Sequence, residues 1–177
     1  SIHATDALDT LIAQLKKRGD LTGKAGEALL LPHVEAVTAD RLLLVGAGDG
    51  KPLTRAQFLT LLGHIADQLQ KAKAKDAVLL LDEVCVEERD ALWCAELAAQ
   101  QLSNSIYHFE KKKKDKKTAT LKKIVWHNPL HQTAVDQALN TGTAIAAGMA
   151  RARELGNLPG NICTPTYLAE QAQQLTK

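Results

Sequence analysis

Hydrophobic and polar positions along this chain follow two periods, and each period predicts its own kind of element. Leucine, isoleucine and alanine recur every three or four residues in segments 5–18, 54–73, 87–103 and 132–155. That spacing predicts amphipathic helices, each with one apolar face. Shorter and continuously apolar runs lie between them, at 28–31, 41–45, 77–81 and 121–127. Runs of this kind are typical of strands buried on both faces of an α/β sheet.

Residues with strong end preferences separate these elements. Thr5 is the predicted N-cap of the first helix, and Gly19 is its predicted stop. Thr54 and Gln57 fit a capping box, in which each side chain accepts a hydrogen bond from the backbone N–H of the other residue. The alternation of strands and helices predicts an α/β domain built in three layers, α/β/α.

The amino-acid composition indicates which residues build the core. Hydrophobic residues make up 45% of the chain, as in a globular domain, but aromatic residues make up only 3%. The predicted core is therefore leucine, alanine, valine and isoleucine. Cys85, Cys94 and Cys163 form no C-x-x-C pair, so we expect free, mostly buried thiols in a reducing cytoplasm. No apolar run reaches the length of a membrane span, and we expect no membrane partner.

A glycine-rich loop at residues 46–50 follows the second predicted strand. Glycines there would let backbone N–H groups approach a phosphate, which is one interpretation of the loop. The dinucleotide fingerprint G-x-G-x-x-G is not matched, because the third glycine comes one position early and Lys51 and Pro52 delay the next helix. We therefore favour the other interpretation, a turn from strand to helix.

Acidic residues follow the third predicted strand. Asp82 and Glu83 lie at its carboxyl end, where α/β proteins often place functional groups, but no further ligand completes a metal site at a fixed spacing. Glu87, Glu88 and Asp90 fit the acidic first turn of the next helix. The sequence contains no G-x-S-x-G, H-E-x-x-H or P-loop motif. No catalytic residue and no metal ligand is therefore predicted.

Charge is distributed unevenly along the chain. The net charge is +2, yet residues 110–123 hold eight lysines against Glu110 and Asp115, so this segment carries +6 and the remainder −4. A charge run is usually a solvated loop. The alternative is a contact with the phosphate backbone of DNA, which would be salt-dependent and not sequence-specific. The candidate contact residues are Lys111, Lys112, Lys113, Lys114, Lys116 and Lys117.

Residues 153–169 predict a helix end, a rigid turn and a new helix start. Gly156 is expected to close the long helix in the left-handed conformation. Pro159 cannot continue that helix, because it lacks an N–H. Thr164 is the predicted N-cap and Pro165 the first residue of the next helix. The chain reaches Lys177 soon afterwards, so we expect this helix to be the first of a further domain. We also expect a strand to precede residue 1.

The segment 157–169, with its N-x-P-x-N, T-P and L-A pairs, resembles the entrance to the catalytic domain of bacterial leucyl aminopeptidases, also called cytosol aminopeptidases, of peptidase family M17. The alanine-rich residues 144–148 resemble the long helix that precedes it in that family. Residues 18–26 and 41–48 resemble the family's early turn and its following strand and glycine loop. The resemblance thus covers nearly the whole chain.

The resemblance implies a macro-domain-like front domain with a mixed sheet, followed by a long connecting helix. It also implies a cytoplasmic homohexamer that releases N-terminal amino acids from peptides, using two divalent ions (zinc, manganese or magnesium). The family's metal ligands lie in the catalytic domain and match nothing in this sequence. We therefore expect this segment to be inactive alone, and to serve hexamer assembly and substrate access. Some bacterial members bind DNA through this domain.

The predicted organisation has three parts. Residues 1–130 form the N-terminal α/β domain, 131–156 the connecting helix, and 157–177 the start of a catalytic domain that is otherwise absent. The predicted inter-domain junction residues are Asn157, Pro159, Asn161, Thr164 and Pro165. Their predicted role is the geometry of the junction and not chemistry.

Overall fold

A computed structural model describes residues 2–35, 37–81, 83–107, 121–127 and 132–175. Strands and helices alternate along these ranges, and the α/β class is confirmed. The elements are α1 (Ile2–Arg18), β1 (Ala28–Leu31), β2 (Leu42–Val45), α2 (Arg55–Lys71), β3 (Asp76–Leu79), α3 (Ala91–Ile106), β4 (Lys123–Trp126), α4 (Gln132–Asn157) and α5 (Pro165–Gln174).

The four strands form two separate ladders within the described residues. β1 and β2 pair antiparallel, with Ala28 opposite Val45. β3 and β4 pair parallel, with Asp76 opposite Lys123. Both strand directions of the expected mixed sheet are thus present, but no described ladder joins β2 to β3.

The core is built on α2, whose inward stripe includes the fully buried Phe58 and Leu62. α3 packs against this stripe, and Phe58 lies 6.4 Å from the ring of Trp93. Residues of β2, β3 and β4 pack against the same cluster, so both ladders cover one core. Most of the buried side chains are aliphatic, as the low aromatic content predicts.

α4 lies unusually close to α3, because Gly142 has no side chain. A Cβ atom built at Gly142 would stand 2.0 Å from the carbonyl oxygen of Glu96 in α3. Further along, the Met149 sulfur accepts hydrogen bonds from the side-chain amides of Gln100, at 3.2 Å, and Asn104, at 3.4 Å. At Gly142 the absence of a side chain therefore lets the two helix backbones come into direct contact.

Helix ends confirm two of the predicted caps. Gly19 has φ +81° and ends α1, with its N–H bonded to the Lys16 carbonyl at 3.1 Å. Thr54 and Gln57 form the complete capping box of α2. The predicted N-cap at Thr5 is wrong, because α1 already begins at Ile2.

The expected acidic first turn of α3 is corrected by the structure. The helix begins at Ala91 with Asp90 as its N-cap, so Glu87 and Glu88 lie in the preceding turn and not in its first helical turn. Glu88 has φ +55°, a left-handed conformation that cannot belong to a helix.

The expectation that the thiols are mostly buried is wrong. Cys94 is buried, Cys163 is half-buried and Cys85 is exposed. Burial, followed by the nearby charge of Asp90, raises the pKa of the Cys94 thiol. Cys85 lies in the turn before α3, where no core element covers it.

Gly142→Ala is expected to destabilise the protein. The added methyl group would collide with the Glu96 backbone, which cannot rotate away. We expect the free energy of unfolding to fall by about 1–3 kcal/mol, as for other overpacked interiors. Denaturant-induced unfolding measures the change.

Gly148→Ala is the matched control, because a Cβ atom there meets nothing within 4 Å. It lies in the same helix, where alanine is favoured over glycine by roughly 0.5–1 kcal/mol. A stabilising effect at Gly148 and a destabilising effect at Gly142 are expected. Equal effects at both positions would contradict the close-packing interpretation.

Candidate functional site

The junction between α4 and α5 is a self-contained turn. α4 ends at Asn157, and the next residue, Leu158, is buried. The carbonyl of Pro159 accepts hydrogen bonds from the backbone N–H groups of Ile162, at 2.8 Å, and Cys163, at 3.0 Å. Asn161 lies inside this turn and is exposed.

The start of α5 confirms the predicted cap. The Thr164 hydroxyl accepts the N–H of Tyr167 at 3.2 Å, and Pro165 occupies the first helical position. The predicted left-handed stop at Gly156 is wrong, since Gly156 lies within α4 and has no positive φ. The helix runs on until Leu158 is buried, and Pro159 then prevents its continuation.

α5 is attached to α4 by polar contacts. The guanidinium of Arg151 donates from Nη2 to the Oε1 atom of Gln171, and to that of Gln174 at 3.2 Å. α5 itself has no buried residue.

Three apolar side chains of this region point to solvent, and we refer to Ile162, Leu168 and Leu175 as the junction apolar face. Ile162 and Leu168 are each 44% exposed, and Leu175 is 75% exposed. Leu168 and Leu175 are seven residues apart, so they share one side of the helix.

The end of α4 is also fixed to the end of α3. The Tyr107 hydroxyl donates to Glu154 Oε2 at 3.2 Å. The Arg153 guanidinium lies over the Tyr107 ring, 5.8 Å from its centroid. The junction therefore leaves the domain from a rigid helix pair.

Two N–H groups of the glycine loop at residues 46–50 are bonded to carbonyls within the domain. The N–H of Gly46 donates to the Glu27 carbonyl at 2.8 Å, and that of Gly48 to the Gly23 carbonyl at 3.0 Å. A Cβ atom at Gly46 would lie 2.1 Å from the Lys24 carbonyl oxygen. These contacts favour the structural interpretation, because two donors that a phosphate would need are already bonded.

The Glu27 carboxylate stabilises the turn at residues 22–27, which packs against the glycine loop. It accepts hydrogen bonds from the N–H and hydroxyl of Thr22, both at 2.8 Å, and from the N–H of Gly23 at 2.7 Å. These donors hold the pKa of Glu27 below its usual value, with the Thr22 side chain the largest cause.

A shallow concavity of about 580 Å³ lies beside the start of α2 and the turn before α3. Its lining residues are Pro52, Arg55, Cys85, Val86, Glu87, Glu88 and Arg89. Glu83 is exposed, and Asp82 lies outside the described residues. In the described ranges no group of three or more His, Cys, Asp or Glu side chains is placed to hold a metal ion.

The predicted nucleic-acid contact residues lie outside the described residues, since the structure describes nothing between 107 and 121. Their role stays a prediction. The inter-domain role of the junction residues also stays a prediction, although their local geometry is described above.

Comparison with known proteins gives consistent matches. Residues 2–116 match the family model described as the N-terminal domain of the cytosol aminopeptidase family. A probable cytosol aminopeptidase of Pseudomonas fluorescens (strain Pf0-1) is 43% identical over 168 residues, which cover 94% of this chain and 34% of that protein. One of Shewanella frigidimarina is 38% identical over 170 residues, with the same two shares. The chain thus spans about a third of the length of these curated relatives.

Solved structures match at the level of the fold. A mutant of tomato leucine aminopeptidase has a TM-score of 0.69 and 21% identity, covering 96% of this chain and 33% of its own. The bottromycin maturation enzyme BotP in complex with Mn has a TM-score of 0.70 and 20% identity, covering 91% and 32%.

The hydrogen bonds that Thr22 and Gly23 donate to the Glu27 carboxylate, here called the Glu27 cradle, predict that the protein loses stability in acid. Because the folded-state pKa is depressed, the carboxylate contributes stability above its ordinary value of 4.5, and this is lost as pH falls through the folded-state pKa. Glu27→Gln should lower the free energy of unfolding at neutral pH, and the difference from the unmodified chain should shrink in acid. Denaturant unfolding at several pH values measures this.

Glu170→Gln is the control, since it makes the same chemical change at an exposed residue of α5. An equal loss of stability in both variants, with the same pH dependence, would argue against the cradle.

Proposed function

The chain belongs to the cytosol aminopeptidase family, whose N-terminal domain its residues 2–116 match, and we propose that it is the non-catalytic front domain of a leucyl aminopeptidase. The family's members are peptidases of family M17, and the proposed reaction of the whole protein is the hydrolytic release of N-terminal amino acids from peptides. This chain's proposed part is to hold the catalytic domain in place, to support hexamer assembly and to limit substrate access.

The observation that carries the proposal is the junction apolar face. A helix normally buries its apolar side against its own domain, yet α5 has no buried residue and exposes Leu168 and Leu175. Exposed apolar surface of this kind marks a contact with another structural unit. The proposed unit is the catalytic domain that follows α5 in the parent protein.

The geometry of α4 supports a fixed orientation for that unit. Gly142 seats α4 against α3, and Arg151 ties α5 to α4. A rigid path from the core to the junction would hold the catalytic domain at one angle. A constant angle is what both a symmetric hexamer and a bounded substrate entrance require.

The metal chemistry is proposed to lie outside this chain. Two divalent ions, manganese or zinc, would polarise the scissile carbonyl and lower the pKa of the attacking water. The described residues do not fit such a site, because they offer no cluster of metal ligands. No step of the reaction is therefore assigned to residues of this chain.

We propose a cytoplasmic location, in line with the family's name and with the expectation from the thiols. Within the described residues, no helix is long and apolar enough to cross a membrane.

The alternative proposal is a nucleic-acid-binding module. It rests on charge alone, since residues 110–123 carry +6 against −4 for the remainder of the chain. Lysines contact phosphates without reading bases, so such binding would not depend on sequence.

The front-domain proposal is tested with the junction apolar face. The 177-residue chain should not hydrolyse leucine p-nitroanilide with Mn²⁺, but should bind the separately produced remainder of the Pseudomonas fluorescens relative. Leu168→Glu combined with Leu175→Glu should raise Kd at least about a hundredfold. Each leucine that becomes buried in the complex contributes roughly 1.5–3 kcal/mol to binding. Calorimetric titration measures the affinity.

Leu92→Glu is the control, because Leu92 is exposed on α3, away from the junction. It should leave the affinity unchanged. Turnover by the chain alone, or binding that is indifferent to the two α5 substitutions, would contradict the front-domain proposal.

The nucleic-acid alternative is tested by filter binding of duplex DNA at two salt concentrations. Contacts with several phosphates should weaken the affinity steeply with salt, by on the order of 10³ or more between 50 and 200 mM for six or more contacts. Replacing Lys111, Lys112, Lys113 and Lys114 with alanine should abolish binding. Replacing Lys16 and Lys17 of α1 is the control. Salt-independent binding, or no effect of the four substitutions, would reject the role of the lysine run.

A further inference from the structure

One face of the β3–β4 ladder is apolar and exposed. Side chains alternate along β3, so Ala77 and Leu79 pack against the core while Val78 points away from it. Val78 is 61% exposed, Leu80 is 62% exposed, and Val125 of β4 is 40% exposed. Large aliphatic side chains grouped on a sheet face are typical of an interaction surface.

Two opposite charges complete this surface, which we call the outer strand face and define as Asp76, Val78, Leu80, Lys123 and Val125. The parallel register places Asp76 beside Lys123 and Val78 beside Val125. Among the described residues the ion pairs are Asp49 with Lys51 and Asp67 with Lys71. Asp76 and Lys123 thus lie side by side without forming an ion pair with each other.

We propose that the outer strand face binds a second copy of this chain, through a two-fold axis parallel to the strands and midway between β3 and β4. Rotation about that axis exchanges the two strands, so β3 of one copy faces β4 of the other. Asp76 then faces Lys123 of the second copy at two equivalent positions, and Val78 faces Val125. The surface is its own complement, as a two-fold interface requires.

Charge complementarity selects this partner and this orientation. A two-fold axis perpendicular to the strands would place Asp76 and Lys123 opposite Leu80 of the second copy. Both charges would then lose their water without gaining a counter-charge. A partner of uniform charge would match only one of Asp76 and Lys123. The strand-parallel two-fold satisfies both charges and covers the valines with apolar surface.

The strands of the ladder are four residues each, so the face is smaller than the roughly 800 Å² per partner of a stable complex. We therefore expect a weak dimer, with a Kd on the order of 10–100 µM. The inference rests on the assembly role in the proposed function and names a surface for it. This face lies on β3 and β4 and does not include the α5 residues of the junction, so its test can fail while the junction test succeeds.

The test is sedimentation velocity of the full chain across a concentration series. Asp76→Lys and Lys123→Asp each place like charges opposite each other across the dimer interface. Each should therefore raise Kd at least about tenfold. The combined variant exchanges the two charges and should restore Kd to within about threefold of the unmodified chain. Asp9→Lys makes the same charge change on an exposed part of α1 and should leave Kd unchanged.

Circular dichroism melting confirms that each variant is folded, and recovery in the combined variant excludes a folding defect as the cause of the weaker dimers. A chain that stays monomeric at every concentration would overturn the inference. So would a dimer that both single variants leave intact, or a combined variant that dimerises no better than either one.

Discussion

The contact between α3 and α4 is the constraint on which the rest of the structure depends. Gly142 brings one helix backbone against the Glu96 carbonyl of the other, closer than any side chain would permit. That approach lets the Met149 sulfur reach two amide donors on α3. It also sets where Arg151 stands, and therefore where α5 begins. The position of the junction is thus decided within the helix pair and not within the turn.

Sequence predicts the parts of this fold that depend on neighbouring residues. The capping box at Thr54 and the stop at Gly19 are confirmed, because a cap is formed by residues within one helical turn of it. The predicted helix stop at Gly156 is wrong, because there the local signal is overridden. Glycine permits a left-handed end without requiring one, and the burial of Leu158 carries the helix further. A local signal is reliable only where no distant contact competes with it.

The candidate sites depend on contacts that no local pattern contains. Whether the glycine loop can hold an anion turns on whether its N–H groups are free, and the carbonyls of Gly23 and Glu27 already accept two of them. Those carbonyls lie about 20 residues earlier in the chain. Similarly, the pattern of α5 predicts an apolar side but not that this side faces solvent. Burial is decided by the neighbours of an element, and the sequence of the element alone cannot name them.

The two exposed apolar surfaces differ in what they need from a partner. A domain tethered directly after α5 would meet the junction apolar face at an effective concentration in the millimolar range, which is typical of a short linker. Little specificity is then required, and apolar contact suffices. The outer strand face has no tether to its proposed partner, so orientation must come from the surface itself. Asp76 and Lys123 provide that orientation, because opposite charges in a fixed register admit one alignment and penalise the others. Charges on the outer strand face therefore suit the proposed partner in trans, and apolar contact alone suits the proposed tethered domain at the junction apolar face.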